Sequence, residues 1–298
     1  MQTRRPLRNR GASVRARLQA WAVDNSQTFD RALTRYVLEG LLDRLSRSVY
    51  RDRFVLKGAM LLLAWSDKPY RPTRDLDLLG FGDPAPDEIC RIFCEICAVL
   101  VDDAVAFDLS GLTAETVGST REYAGVRLRT TATVDRATTR VIVDIGFGDA
   151  VAPEIQEMDF PVLLGRGAPR LRTYPPEAVI AEKLHAMVVL GRANSRMKDF
   201  YDIWHLATPS RYDASRLVTA IAATFSRRRT AIPIGLPDAL SSGFASDPLK
   251  LGQWDDFTRG VADRPGSLAE VVAFLRNVIM PHLKAARDLA DPAGGNGG

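Results

Sequence analysis

Asp75-Leu76-Asp77-Leu78-Leu79 is the stretch on which the reading of the fold turns. Carboxylate and leucine alternate with period two, so a strand places Asp75 and Asp77 on one face and Leu76 and Leu78 in the core. Pro69, Arg71, Pro72 and Arg74 mark a loop leading into it. Upstream, Phe54–Trp65 is a continuous apolar stretch in which Lys57-Gly58-Ala59 opens an apolar helix. Downstream, Gly125–Val134 and Thr138–Gly146 form a hairpin around Asp135-Arg136-Ala137. In its first arm Arg127, Arg129 and Thr131 alternate with Val126, Leu128 and Thr130. In its second, Val141, Val143 and Ile145 alternate with Ile142, Asp144 and Gly146. Arg170–Thr173 reads as a last strand.

Helices surround these strands. Ser13 caps a helix running to about Asn25, and Ser26 or Thr28 caps the next, whose stripe is Phe29, Leu33, Tyr36, Val37, Gly40, Leu41 and Leu45. A third spans Pro86–Val101, with Ile89, Phe93, Ile96 and Leu100 on one side. Pro175-Pro176-Glu177 starts a helical half made of Glu177–Leu190, Arg196–Leu206, Ala214–Phe225 and Leu268–Leu289, with Ile232–Gly260 as a Pro-, Gly- and Ser-rich connector. The order is α+β: N-terminal helices, a small mixed sheet, then a helical C-terminal half. The expected divisions are a basic arm at 1–12, helices plus sheet at 13–174, a helical domain at 175–290 and a disordered tail at 291–298.

The chemistry resides in the carboxylates. Two on one strand face repel unless a cation lies between them, and a hard divalent ion such as Mg²⁺ takes oxygen ligands of this kind together with substrate phosphates. Asp144 is a third, on the polar face of another strand, completing the ligand set of a two-metal phosphoryl-transfer site. Taken alone, an Asp-x-Asp pair reads more often as charge at a strand edge than as a metal site. Its context is Lys57-Gly58-Ala59, whose helix-start amides suit a phosphate, together with Lys183 and the run Arg196-Met197-Lys198-Asp199-Phe200-Tyr201-Asp202. On that last helix Phe200, Ile203, Trp204 and Ala207 form the buried stripe, leaving Lys198, Asp199 and Asp202 on other faces.

Phe54-Val55-Leu56-Lys57-Gly58-Ala59-Met60-Leu61-Leu62 followed by Arg71-Pro72-Thr73-Arg74-Asp75-Leu76-Asp77 resembles the AbiEii/AbiGii-type nucleotidyltransferase-like toxins, among them the mycobacterial MenT toxins. The family's glycine helix start, R-x-(S/T)-x-D-x-D strand, later carboxylate, helix lysine and K-D-x-x-D helix all have counterparts between about Ser13 and Leu283. Ala59 departs from it, standing where the wider polymerase-β-like superfamily prefers serine or glycine. The resemblance implies a polymerase-β-like core and an Mg²⁺-dependent toxin, with two ions expected, that moves nucleotides from an NTP to a tRNA 3′ end and so blocks translation. Asp75, Asp77 and Asp144 would hold metal and Lys183 would neutralise the triphosphate. Lys57, Gly58, Ala59, Arg71, Thr73, Lys198 and Asp199 would line the nucleotide site. A cognate antitoxin is the implied partner. Transfer to a protein or small molecule, and an inactive NTP-binding toxin, remain as alternatives.

Charge distribution agrees with a polyanionic partner. Net charge is +4 overall, yet the segment from Met1 to Lys57 alone carries twice that. Arg4, Arg5, Arg8 and Arg10 read either as a solvated arm or as RNA contacts. Arg227, Arg228 and Arg229 read either as cations closing a helix or as RNA contacts. Cys90, Cys94 and Cys97 have the spacing of an iron–sulfur ligand loop but sit on a helical apolar stripe, so they read as packing residues. His185, His205 and His282 read as ordinary partly buried side chains, and Trp21, Trp65, Trp204 and Trp254 as core. With 46% apolar residues and no run near the roughly 18 apolar residues of a membrane span, the expectation is a soluble, cytoplasmic protein without a membrane partner.

Overall fold

Thr28 ends one helix–helix connection by accepting the amide of Arg31, and from that cap a long and largely buried helix begins. The computed structural model describes residues 10–65, 73–118, 125–149, 151–165, 167–208, 211–261 and 263–291. They fall into two compact units, one built of the chain up to Gly148 plus Glu157–Thr173, the other of Asp149–Gln156 and everything from Tyr174.

In the first unit, α1 (Arg10–Asp24) precedes α2 (Phe29–Arg47). Helix α1 starts ahead of Ser13, the expected cap, and takes up part of the expected arm at 1–12. Arg10 donates to the carboxylate and the carbonyl of Asp102, and that anchor extends the helix. The rest of the arm, with Arg4, Arg5 and Arg8, lies outside the described residues, as does the tail at 292–298. Helix α2 is buried on nearly all sides, packing on α1 and on the elements that follow, and it carries charge into the core. Arg44 grips both oxygens of Asp103 at 2.6 and 3.1 Å and also donates to the carbonyls of Gly40 and Val105. Hydrogen bonds from both terminal nitrogens let this buried ion pair persist, with Nε alone left without a partner.

The chain continues through β1 (Phe54–Lys57), α3 (Ala59–Ala64), β2 (Asp75–Gly80), α4 (Pro86–Ala98), β3 (Val105–Phe107), β4 (Thr113–Val117), β5 (Gly125–Val134), β6 (Ala137–Phe147), β7 (Gln156–Asp159) and β8 (Arg170–Thr173). The strands form one mixed eight-stranded sheet in the order β3-β5-β6-β2-β1-β8-β7, with β4 also pairing β5. The fold class is α+β, as the sequence indicates. The sheet is wider than expected because β3, β4 and β7 are too short to show alternation. Leu76, Leu78, Val141, Val143, Val126 and Leu128 form its buried face. Helix α4 ends at Ala98, so Leu100 lies beyond it and is exposed, while Ile89, Ile92, Phe93 and Ile96 are buried. Cys97 is buried too, and burial pushes its thiol up to about 12.

The second unit is helical: α5 (Pro176–Leu190), α6 (Met197–Leu206), α7 (Ala214–Arg227), α8 (Ser242–Ala245), α9 (Pro248–Thr258) and α10 (Leu268–Ala290). The stretch 232–260 is no plain connector, since α8 and α9 lie within it. Ser241 caps α8, and Asp247 followed by Pro248 is a cap with proline at the first helical position. Trp254 is buried there, whereas Trp21, Trp65 and Trp204 are only half-buried and so are not core residues. The Arg35 guanidinium lies 5.7 Å over the Trp21 ring, a contact that keeps an indole at the surface. Among the described residues no helix is long and apolar enough to cross a membrane.

Candidate active site

Strand register assembles the site in the first unit. Lys57 of β1 pairs with Asp77 of β2, Asp77 with Asp144 of β6, Asp144 with Arg127 of β5, and Arg127 with Glu115 of β4. Directly opposed residues in a sheet point to the same face, so these five side chains make one row across the sheet. Asp75, two residues before Asp77, shares the face and stands opposite Ile142. Both carboxylates are half-buried, while Leu76 and Leu78 between and beyond them are fully buried.

Gly58 sits between β1 and α3 with φ +70°, a conformation that side chains disfavour. A Cβ there would lie 2.0 Å from Asp77 Oδ2. The backbone and the carboxylate therefore occupy a space that only glycine leaves open. Ala59, the first residue of α3, is buried, so its methyl packs inward. Thr73 donates its hydroxyl to the carbonyl of Asp75 at 3.1 Å, fixing the entry to the strand. Arg71 lies outside the described residues.

Asp144 is not idle. Arg127 Nε reaches its Oδ1 at 2.7 Å and Nη2 its Oδ2 at 2.8 Å, a two-point pair that raises the arginine's affinity for its proton. Among the described residues no three His, Cys, Asp or Glu side chains group as ready metal ligands. The donor set at Asp75 and Asp77 nonetheless fits a hard divalent ion, which commonly takes one or two carboxylates and completes its shell with water and phosphate oxygens. Asp144, expected as the third ligand, is paired with Arg127 of the neighbouring strand.

A second polar cluster lies in the second unit. Lys183 of α5 is 2.9 Å from Asp199 Oδ1 and 2.7 Å from Asp202 Oδ2, and Arg196 Nε is 2.7 Å from Asp199 Oδ2. Both aspartates are fully buried, contrary to the expectation that they leave the buried face of α6. Burying them requires paired cations, and Lys183 and Arg196 supply these.

Residues 40–277 match the profile of the nucleotidyl transferase AbiEii toxin family of type IV toxin–antitoxin systems. The chain belongs to the AbiEii nucleotidyltransferase family. No curated protein matches it. Solved structures similar to it include two from Helicobacter pylori. One is a candidate nucleotidyltransferase from H. pylori, at 13% identity and a TM-score of 0.49, over 87% of this chain and 96% of that one. The other is JHP933 from Helicobacter pylori, at 14% and 0.47, over 88% and 94%.

Asp75, Asp77, Asp144, Lys57 and Gly58 come together on one sheet face. Lys183 and Asp199 form their own cluster, while Lys198, on the same helix as Asp199, is exposed. Arg10 is exposed and pairs with Asp102, and Arg228 is half-buried, reaching Asp149 at 3.4 Å and Glu182 at 3.6 Å. Arg227 and Arg229 are exposed. Sequence reasoning missed Arg127, whose only local signal is its place on the wet face of a strand.

Proposed function

We propose that this nucleotidyltransferase uses Mg²⁺ to move a nucleotide from an NTP to the 3′ end of a tRNA, blocking aminoacylation and with it translation. An acceptor hydroxyl attacks the α-phosphorus, the new O–P bond forms, the bond to the β-phosphate breaks, and pyrophosphate leaves. Mg²⁺ held by Asp75 and Asp77 would supply positive charge to the reacting phosphates. Gly58 lets the backbone lie close to phosphate, and Lys57, beside Asp77 in the row, adds a cation at the same edge. Asp144 is assigned to completing the carboxylate set and activating the attacking hydroxyl. Lys183 is assigned to the triphosphate as a point charge, held by Asp199 and Asp202, with Lys198 nearby on α6. Arg227, Arg229 and the N-terminal arginines are assigned to the RNA backbone. A cognate antitoxin partner follows from the family, and a cytoplasmic location suits a tRNA substrate.

The observation that carries this reading is the register Lys57–Asp77–Asp144, with Gly58 pressed against Asp77. It is tested by incubating the protein with labelled NTPs, Mg²⁺ and total tRNA, beside Asp77→Asn and Lys183→Ala. Label on RNA that disappears in both variants is the expected result. Label on protein would move the acceptor elsewhere, and nucleotide binding without transfer would make the chain an inactive NTP-binding toxin.

A further inference from the structure

Arg127 occupies an unusual position in the row. It stands in register between two carboxylates, Asp144 on β6 and Glu115 on β4, and places its guanidinium on Asp144 at both oxygens. Glu115 is taken by Arg129, which donates to its Oε1 at 2.5 Å. The Arg127 side chain is 38% exposed and that of Asp144 25%, so the pair is neither locked in the core nor fully screened by water.

A guanidinium spanning both oxygens of a carboxylate leaves few lone pairs for another cation. It also cancels the negative field that would draw one, and its charge acts on Asp75 as well. We infer that Arg127 is a built-in counter-cation that competes with the divalent ion for Asp144. The inference rests on the metal-site reading above and deepens it. Without divalent ion, Arg127 neutralises the third carboxylate and the sheet face is stable by itself. When an ion arrives, Asp144 exchanges partner, and Arg127, flanked by Glu115 on its other side, keeps a carboxylate neighbour rather than being stranded. Occupancy of the site by metal is thereby set by the contest and not by the carboxylates alone. Arg127 is a positioning residue in this scheme, acting through Asp144.

The test is direct Mn²⁺ binding to the full-length protein, read by electron paramagnetic resonance of the free ion, with no nucleotide present. Arg127→Gln, which keeps the stem and loses the charge, is expected to tighten Mn²⁺ binding roughly five- to tenfold, in line with the worth of a close, partly exposed charge pair. In an Asp144→Asn background the same substitution should change binding by less than about twofold, because the contested ligand is gone. Circular dichroism melting of each variant checks that it is folded, and Arg127→Lys, a cation without the two-point fork, should fall between wild type and Arg127→Gln. Unchanged or weakened Mn²⁺ binding in folded Arg127→Gln overturns the inference, as does an undiminished effect in the Asp144→Asn background. Absence of Mn²⁺ binding in wild type and variants alike would remove the metal-site reading itself, a distinct result.

Discussion

Two charge clusters, one on a sheet and one between helices, solve the same electrostatic problem in opposite ways. In the first unit the carboxylates of Asp77 and Asp144 lie half-buried, each beside a cation on a neighbouring strand, Lys57 and Arg127. In the second, two fully buried aspartates share the Lys183 ammonium, whose side chain is only 11% exposed, and Arg196 adds a second cation. Half-exposed pairs contribute little to stability and can exchange partners. Buried ones are costly to break. The comparison separates a face suited to taking up a charged ligand from a brace that fixes one lysine.

The brace offers the largest effect. Lys183→Ala leaves two carboxylates buried with one cation fewer, and unfolding free energy from urea titration should fall by about 3–5 kcal/mol. Asp77→Asn on the sheet should instead change stability by less than about 1 kcal/mol while abolishing transfer. Equal losses of stability would erase the contrast. Acid should act on the second unit next. Burial first, and the Arg228 and Arg211 charges second, depress His185 and His205 to about 4 from an ordinary 6.5. Between those values the unfolded chain binds protons that the native one does not. Stability therefore holds above about pH 6.5 and is lost as pH falls toward 4, on the order of a few kcal/mol, and glutamine at both positions should flatten the melting profile. Gly58→Ala comes third. Its Cβ collides with Asp77 and its φ is strained, so a cost of roughly 1–3 kcal/mol should accompany a fall in transfer rate of about 100-fold. The smallest effect falls at Arg129: Arg129→Ala, two residues along the same face from Arg127 and paired with exposed Glu115, should move stability by less than about 0.5 kcal/mol.

Much of the fold is legible in the chain because its signals are local. Alternation at 125–147 and at Asp75–Leu79, the proline at Pro176 and the cap at Thr28 each act within a few residues, and the elements appear where those signals lie. Short β3 and β4 carry too few residues to alternate, and the helices within 232–260 are hidden by the Pro, Gly and Ser that cap them. The burial of Asp199 and Asp202 was illegible for another reason: a charged residue reads as exposed until its partner, Lys183 on another helix, is known.

By itself, then, the sequence determined which residues are candidates for the chemistry, Asp75, Asp77, Asp144, Gly58 and Lys183, since strand periodicity and the demands of phosphate and metal ligands are written in neighbouring positions. Only the tertiary structure decided who stands beside whom. Register between strands distant in sequence put Arg127 on Asp144 and pressed Gly58 against Asp77, because pairing of sheet strands is a non-local choice settled by the whole packed face.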